Sequence, residues 1–270
     1  AAFTLPRWRV GLVTAALALT ILLGGIRRVA EISTVLVPVM ALLYLGGGLA
    51  VILGNLRRLP EAVTLMLRCA VAPEAALGGA LGIVTRREAL RWGVARSVFS
   101  NEAGLGSAAI TAACADTDEP VKQGLISMTG VFFDTMVICT VTGLAICCSG
   151  TLGTADGAGR PLTGAALTLR AFETVLGPLA PWLIGAALGL FAFTSVLGCA
   201  VQAETTASYL LGPEAVRPCR VLYGLAVFAG AVIPMATVLQ LADLANALMA
   251  FPNLVCLLLL SGEIAGECGR

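Results

Sequence analysis

Residues 97–111 read Ser-Val-Phe-Ser-Asn-Glu-Ala-Gly-Leu-Gly-Ser-Ala-Ala-Ile-Thr, and they place Ser100, Asn101, Glu102, Gly104, Gly106 and Ser107 inside an otherwise apolar segment. Side chains of Ser, Asn and Glu offer the backbone alternative hydrogen-bond partners, and two glycines one residue apart widen the allowed φ and ψ. The expectation is an interrupted helix, with non-helical backbone between Ser100 and Ser107. An interruption leaves N–H groups free on one half-helix and carbonyls free on the other, and lipid satisfies neither. A ligand does: an anionic substrate group at the half-helix N-terminus, and a cation at the free carbonyls and hydroxyls. Two other readings of the same residues stay open, an aqueous loop between ordinary helices and a capping role for Glu102 on the second half-helix.

The surrounding chain decides which solvent this segment meets. Hydrophobic residues make up 58% of the 270 and charged residues 12%, half of the roughly 25% charge of a soluble domain. Uncharged stretches cover 10–26, 32–56, 174–203, 221–242 and 244–262, each near the ~20 apolar residues that cross a bilayer as a helix. None shows the alternation of a barrel strand, so the fold class is all-α and integral to the membrane. Charge then excludes partners: 17 basic against 16 acidic residues leave a net +1 and no field for nucleic acid. The sequence has no histidine, which removes the usual general base and the commonest zinc ligand. Its nine cysteines fall mostly in hydrophobic runs without a CxxC pair, and read as packing residues with no transition-metal site.

Helices are expected at about 8–26, 33–54, 89–114, 121–148, 179–210, 217–239 and 243–261, seven crossings in all. The stretch 59–88, with Glu61, Arg68, Glu74, Pro73 and Gly78-Gly79, reads as an interfacial or partly re-entrant connection. Residues 149–164 read as an aqueous loop, and Arg pairs at the starts of consecutive loops leave orientation undetermined by the positive-inside rule. Arg7 and Arg9 precede an apolar run that leads to Arg27-Arg28 without a cleavage site, so no signal peptide is expected. The chain has no initiating methionine and is expected to begin inside a longer protein.

Several blocks agree with one family. The run Gly93 to Ala108 containing Ser-Asn-Glu-Ala-Gly-Leu-Gly-Ser-Ala, then Pro120-Val121-Lys122-Gln123-Gly124-Leu125 and Phe133-Asp134-Thr135-Met136, closely resembles the alanine or glycine:cation symporters, the sodium:alanine symporter family. Gly24 to Ala30, Phe191-Ala192-Phe193-Thr194-Ser195 with Gly198 and Glu204, and Ala242-Asp243-Leu244 with Met249 to Leu254 are similar too. The resemblance implies a five-plus-five inverted-repeat fold of the leucine-transporter class, of which this chain holds the second half. Residues 8–58 would be the last two helices of the first repeat, 59–88 the connection, and 89–262 the second repeat with one discontinuous helix. The implied activity is symport of a small neutral amino acid such as alanine or glycine with sodium, or a proton, as coupling ion. No other cofactor is implied, and the setting is the inner membrane of a prokaryote, with lipid around a multi-pass chain.

By that resemblance the substrate contacts are Phe99, Ser100, Asn101, Gly104, Gly106, Ser195 and Cys199, and the cation contacts Thr194 and Ser195. Hydroxyl oxygens suit an alkali cation, whereas back-bonding to the preceding turn is the ordinary use of Thr and Ser in a membrane helix. Cys199 departs from the family, which commonly has tryptophan there, and implies a wider pocket or a different substrate. Asp134 is an intramembrane charge with either a functional or a structural pairing role, and Asp243 caps the last helix. Rival functions are an inactive or structural membrane remnant, a channel, for which no filter motif is present, and a membrane enzyme, for which nucleophile, base and metal are missing.

Overall fold

A computed structural model describes residues 6–71, 86–155, 157, 159 and 161–268. In chain order the helices are α1 (Arg7–Leu22), α2 (Gly25–Gly54), α3 (Leu59–Val71), α4 (Arg86–Asn101), α5 (Ser107–Ala112), α6 (Pro120–Val131), α7 (Thr140–Ser149), α8 (Gly164–Leu176), α9 (Ala180–Leu211), α10 (Val216–Val232) and α11 (Met235–Cys268). A π-helical segment, Phe132–Cys139, joins α6 to α7, so the chain is helical throughout Pro120–Ser149. Short 3₁₀ turns at Leu56–Arg58, Gly177–Leu179 and Pro213–Ala215 link other pairs.

Among the described residues, five segments are long and apolar enough to cross a membrane: Gly25–Gly54, Pro120–Ser149, Gly164–Leu211, Pro213–Val232 and Met235–Gly266. Of the seven expected crossings, the other two correspond to α1 and the interrupted pair α4–α5. α1 has 16 residues, about 24 Å at 1.5 Å per residue, against a hydrocarbon core of about 30 Å. The expected boundary between the first two helices also moves. α1 stops at Leu22, Gly25 takes a φ of +72°, and α2 starts there, so Arg27, Arg28 and Glu31 lie in the opening turns of α2. The sequence reading assigned no element to 165–178, where α8 forms and turns into α9 at Gly177. Of the connection read over 59–88, residues 59–71 are helical and 72–85 lie outside the described residues.

Small residues bring the helices together, as association within lipid demands. On α2, Met40, Tyr44, Gly47, Gly48, Val51 and Ile52 recur at helical spacing and are buried. A Cβ at Gly48 would lie 2.5 Å from Val141 Cγ1, and one at Gly47 would lie 3.1 Å from Phe172 Cε1. That close approach seats Phe172 of α8 in a core with Tyr44, Ala145, Ala180, Ile184 and Ala187. Tyr44 turns its hydroxyl to Thr142 Oγ1 at 2.8 Å, which spares a phenol from burial without a partner. A second core joins α1, α2 and α9 through Ala18, Leu22, Val29, Leu197 and Ala200. α9 thus runs between both cores, with one face left for the interrupted helix.

Candidate functional site

The polar cluster breaks the helix where the sequence reading expects it. α4 ends at Asn101, α5 begins at Ser107, and Glu102, Gly104 and Gly106 between them have φ values of 49°, 73° and 82°. Glu102 is the non-glycine residue in the left-handed region among the described residues, a conformation that costs an L-residue about 1–2 kcal/mol. Its carboxylate is held from two elements: Ser107 Oγ, at the start of α5, donates to Oε2 at 2.6 Å and Gln202 Nε2, from α9, donates to the same oxygen at 3.1 Å. Gln202 Nε2 also reaches Thr111 Oγ1 at 3.2 Å. Ser107, itself buried, therefore fixes the carboxylate locally while α9 fixes it from across the fold.

Part of the backbone of the break finds partners within the chain. Ala103 N donates to Val98 O and Leu105 N to Glu102 O, each at 3.2 Å. The carbonyl of Gly104 accepts Asn253 Nδ2 of α11 at 3.0 Å. Ser100 Oγ donates to Asp134 Oδ2 and Thr135 Oγ1 donates to Asn101 Oδ1, both at 2.8 Å.

Between the break, the start of α6 and α9 lies a cavity of about 410 Å³. Glu102 and Thr111 form one wall, Gln123 and Ser127 a second, and Ser195, Cys199 and Gln202 a third. Residues 195, 199 and 202 share a face because they are spaced four and three apart on a helix. Of the residues read from the sequence, the structure therefore brings Glu102, Ser195 and Cys199 together on this cavity. Ser100 and Asn101 end α4 and turn to the π-helical segment, while Gly104 and Gly106 shape the turn beside Asn253. Phe99 is half exposed, with the Arg96 guanidinium 5.5 Å from its ring centre. Thr194 Oγ1 donates to Leu190 O and Phe191 O at 3.0 Å and approaches Met40 Sδ at 3.6 Å, on the side of α9 that packs on α2. Ser195 Oγ back-bonds to Phe191 O at 2.9 Å. Both hydroxyls keep acceptor lone pairs after donating.

Asp243 lies inside α11, eight residues past its start at Met235, so it does not cap that helix as the sequence reading had it and pairs instead with Arg96; Glu204 forms a two-point pair with Arg220 at 2.8 and 2.9 Å. Gln202 and Asn253 escape sequence reasoning. They act on the break from 100 and 149 residues away, and only the spacing of Gln202 from Ser195 and Cys199 hints at a shared face.

These features define a multi-pass helical membrane protein whose polar residues collect at one interrupted helix. The family model described as the sodium:alanine symporter family matches residues 1–268, and the chain belongs to that family. Family and relatives are transport proteins and not enzymes, in agreement with the sequence reading. An uncharacterized transporter of Haemophilus influenzae is 42% identical over 98% of this chain and 57% of its own length. The sodium/alanine symporter AgcS of Methanococcus maripaludis is 39% identical over 95% of this chain and 55% of its own. The probable sodium/glutamine symporter GlnT of Bacillus subtilis is 38% identical over 96% and 52%. The chain thus spans about half the length of these curated relatives.

Proposed function

We propose that this chain supplies half of a symporter that moves a small neutral amino acid, such as alanine or glycine, together with sodium. The observation that carries the reading is the break at Glu102–Gly106 opening on a cavity whose far wall is Ser195 and Cys199 of α9. A cavity of about 410 Å³ holds an amino acid with some water, since each water occupies about 30 Å³. The name of the Methanococcus relative supports alanine and sodium, and the name GlnT carries supports a neutral amino acid more generally.

On this reading Ser195 and Cys199 meet the substrate, Phe99, Ser100, Asn101, Gly104 and Gly106 form or support the break, and Thr194 with Ser195 offers hydroxyl oxygens to the cation. Seven crossings, with 89–262 as the second of two inverted repeats, extend the reading to the fold. The bacterial and archaeal relatives support a prokaryotic inner membrane. The complete gene product reconstituted in liposomes tests it, with sodium and proton gradients imposed separately. Saturable alanine uptake driven by sodium is expected; no accumulation of any small neutral amino acid under either gradient refutes it.

A further inference from the structure

Glu102 stands in a turn where glycine would cost less. Gly104 and Gly106 take positive φ without a side chain, whereas Glu102 holds a φ of 49° with one. Strain of that kind gathers at functional positions and has to be offset by what the side chain does. Within the chain the carboxylate uses mainly one oxygen. Ser107 Oγ and Gln202 Nε2 both donate to Oε2, at 2.6 and 3.1 Å, while Oε1 has one contact, with Gln202 Nε2, at 3.5 Å. That distance is at the edge of hydrogen bonding, and a carboxylate oxygen accepts about two hydrogen bonds. The capacity of Oε1 is therefore largely unused.

Glu102 is also the source of charge on the cavity. The other side chains on its walls, among them Thr111, Gln123, Ser195, Cys199 and Gln202, are of neutral types. Glu204 has Arg220 and Asp243 has Arg96, but no Arg or Lys pairs with Glu102 among the described residues. Two neutral donors hold the carboxylate in place without cancelling its charge. They come from α5 and from α9, so its position is set before a ligand arrives, which lowers the ordering cost of binding. An anion on the wall of a cavity raises the local concentration of cationic groups.

A zwitterionic amino acid brings such a group as its α-ammonium, which has three N–H donors and no acceptor. A hydrogen bond from an ammonium to a carboxylate is of the strong, charge-assisted kind. Ser127 and Ser195 line the same cavity, and Ser195 Oγ keeps acceptor lone pairs after donating to Phe191 O. Hydroxyls of this kind suit the remaining N–H groups.

We propose that Glu102 receives the α-ammonium group of the substrate on Oε1, so that the break selects amino acids over hydroxy acids of the same size. This rests on the transport reading above and deepens it. Glu102, which the sequence suggests only as a cap, is then the group that recognises the amine.

The test uses the complete transporter, wild type against Glu102→Gln and Glu102→Asp, with alanine and lactate as probes. The two compounds differ in an ammonium against a hydroxyl. Glutamine keeps the length of the side chain and an acceptor for Ser107 but removes the charge, whereas aspartate keeps the charge and withdraws it by one methylene. Each compound is titrated as a competitor of labelled alanine, both for uptake into liposomes and for binding to the purified protein. In wild type, alanine is expected to compete at least about a hundredfold better than lactate. Glu102→Gln should weaken alanine by about tenfold or more, while lactate, no longer facing a like charge, competes equally well or better. Glu102→Asp should weaken alanine several-fold and leave lactate unchanged. Equal weakening of both compounds in Glu102→Gln means that the carboxylate only shapes the turn, and overturns the proposal. If that variant does not assemble, equal weakening in Glu102→Asp does the same, and lactate competing as well as alanine in wild type overturns it without any variant. Wild type that binds alanine but does not accumulate it sinks the transport reading alone, and selective loss of alanine binding in Glu102→Gln then still supports Glu102 as the amine's partner.

Discussion

Replacing Gly106 by alanine should destabilise the protein by about 1.5–3.5 kcal/mol, and the structure supplies each part of that figure. Gly106 has a φ of 82°, and an ideal Cβ there would stand 2.8 Å from Asn253 Oδ1 and 3.1 Å from its Cγ. Holding alanine in the left-handed region costs about 1–2 kcal/mol. Asn253 must then withdraw, and its 3.0 Å bond to the Gly104 carbonyl is lost, which removes about 0.5–1.5 kcal/mol and leaves an acceptor in need of water. Reversible unfolding in mixed detergent micelles reads the difference, with Gly124→Ala as the comparison. Gly124 is helical, and a Cβ there meets nothing within 4 Å, so alanine should stabilise by about 0.5–1 kcal/mol. Combining Gly106→Ala with Asn253→Ala should cost less than the two single losses added, because the clash disappears with the side chain. The reasoning is refuted if Gly106→Ala is no more costly than Gly124→Ala, or if the double variant is strictly additive.

Three further perturbations probe other links. Gln202→Leu removes a donor to the Glu102 carboxylate and to Thr111, and should raise the alanine KM about tenfold in uptake assays, as loss of a hydrogen bond to a charged group does; an unchanged KM would separate Glu102 from binding. Cys199→Trp fills part of the cavity, so the glycine-to-alanine ratio of kcat/KM should rise by about tenfold or more, the scale of one methylene in a shaped pocket, and a constant ratio would place Cys199 outside it. Glu204→Gln leaves the Arg220 guanidinium without its counter-charge in a largely buried position, which should lower stability by about 3–5 kcal/mol in the same unfolding assay; a loss below 1 kcal/mol would mean that water reaches the pair.

What the sequence disclosed about this molecule is mostly what local chemistry can disclose. Six polar or glycine residues crowded between 100 and 107 were enough to place the interruption, because backbone competition and steric freedom act within a few residues. Long uncharged runs likewise placed α2 and α9 in outline, whereas the turn between α10 and α11, expected at 240–242, falls at Ile233-Pro234, where proline cannot continue the helix. Helix ends were less legible where glycine plays two parts: Gly24-Gly25 reads as the end of a helix and its charged sequel as a loop, yet Arg27 and Arg28 continue straight into α2. α8 went unassigned because its 13 residues are too short to signal a crossing and follow directly on a polar loop. The hydroxyls of Thr194 and Ser195 show why residue type underdetermines role. Both back-bond to the preceding turn, and only the helix face separates Ser195 on the cavity from Thr194 beside Met40. The partners that complete the site, Gln202, Asn253 and the pairing of Asp134 with Ser100, are set by packing between distant segments, and no local pattern carries that information.

The central claim is that the cavity between the break and α9 is where substrate and cation meet, and Cys199 provides a direct reporter because its thiol lines that cavity and is exposed. In the complete protein, the rate of Cys199 alkylation by a small water-soluble maleimide can be followed peptide by peptide in a mass spectrometer. Cys114, exposed just past the end of α5 and absent from the cavity wall, serves as the internal standard. Alanine with sodium is expected to slow alkylation of Cys199 by at least about fivefold while Cys114 is unaffected, with alanine alone protecting less, since linked ligands stabilise each other's binding. Equal alkylation rates at Cys199 with and without alanine and sodium would contradict the account.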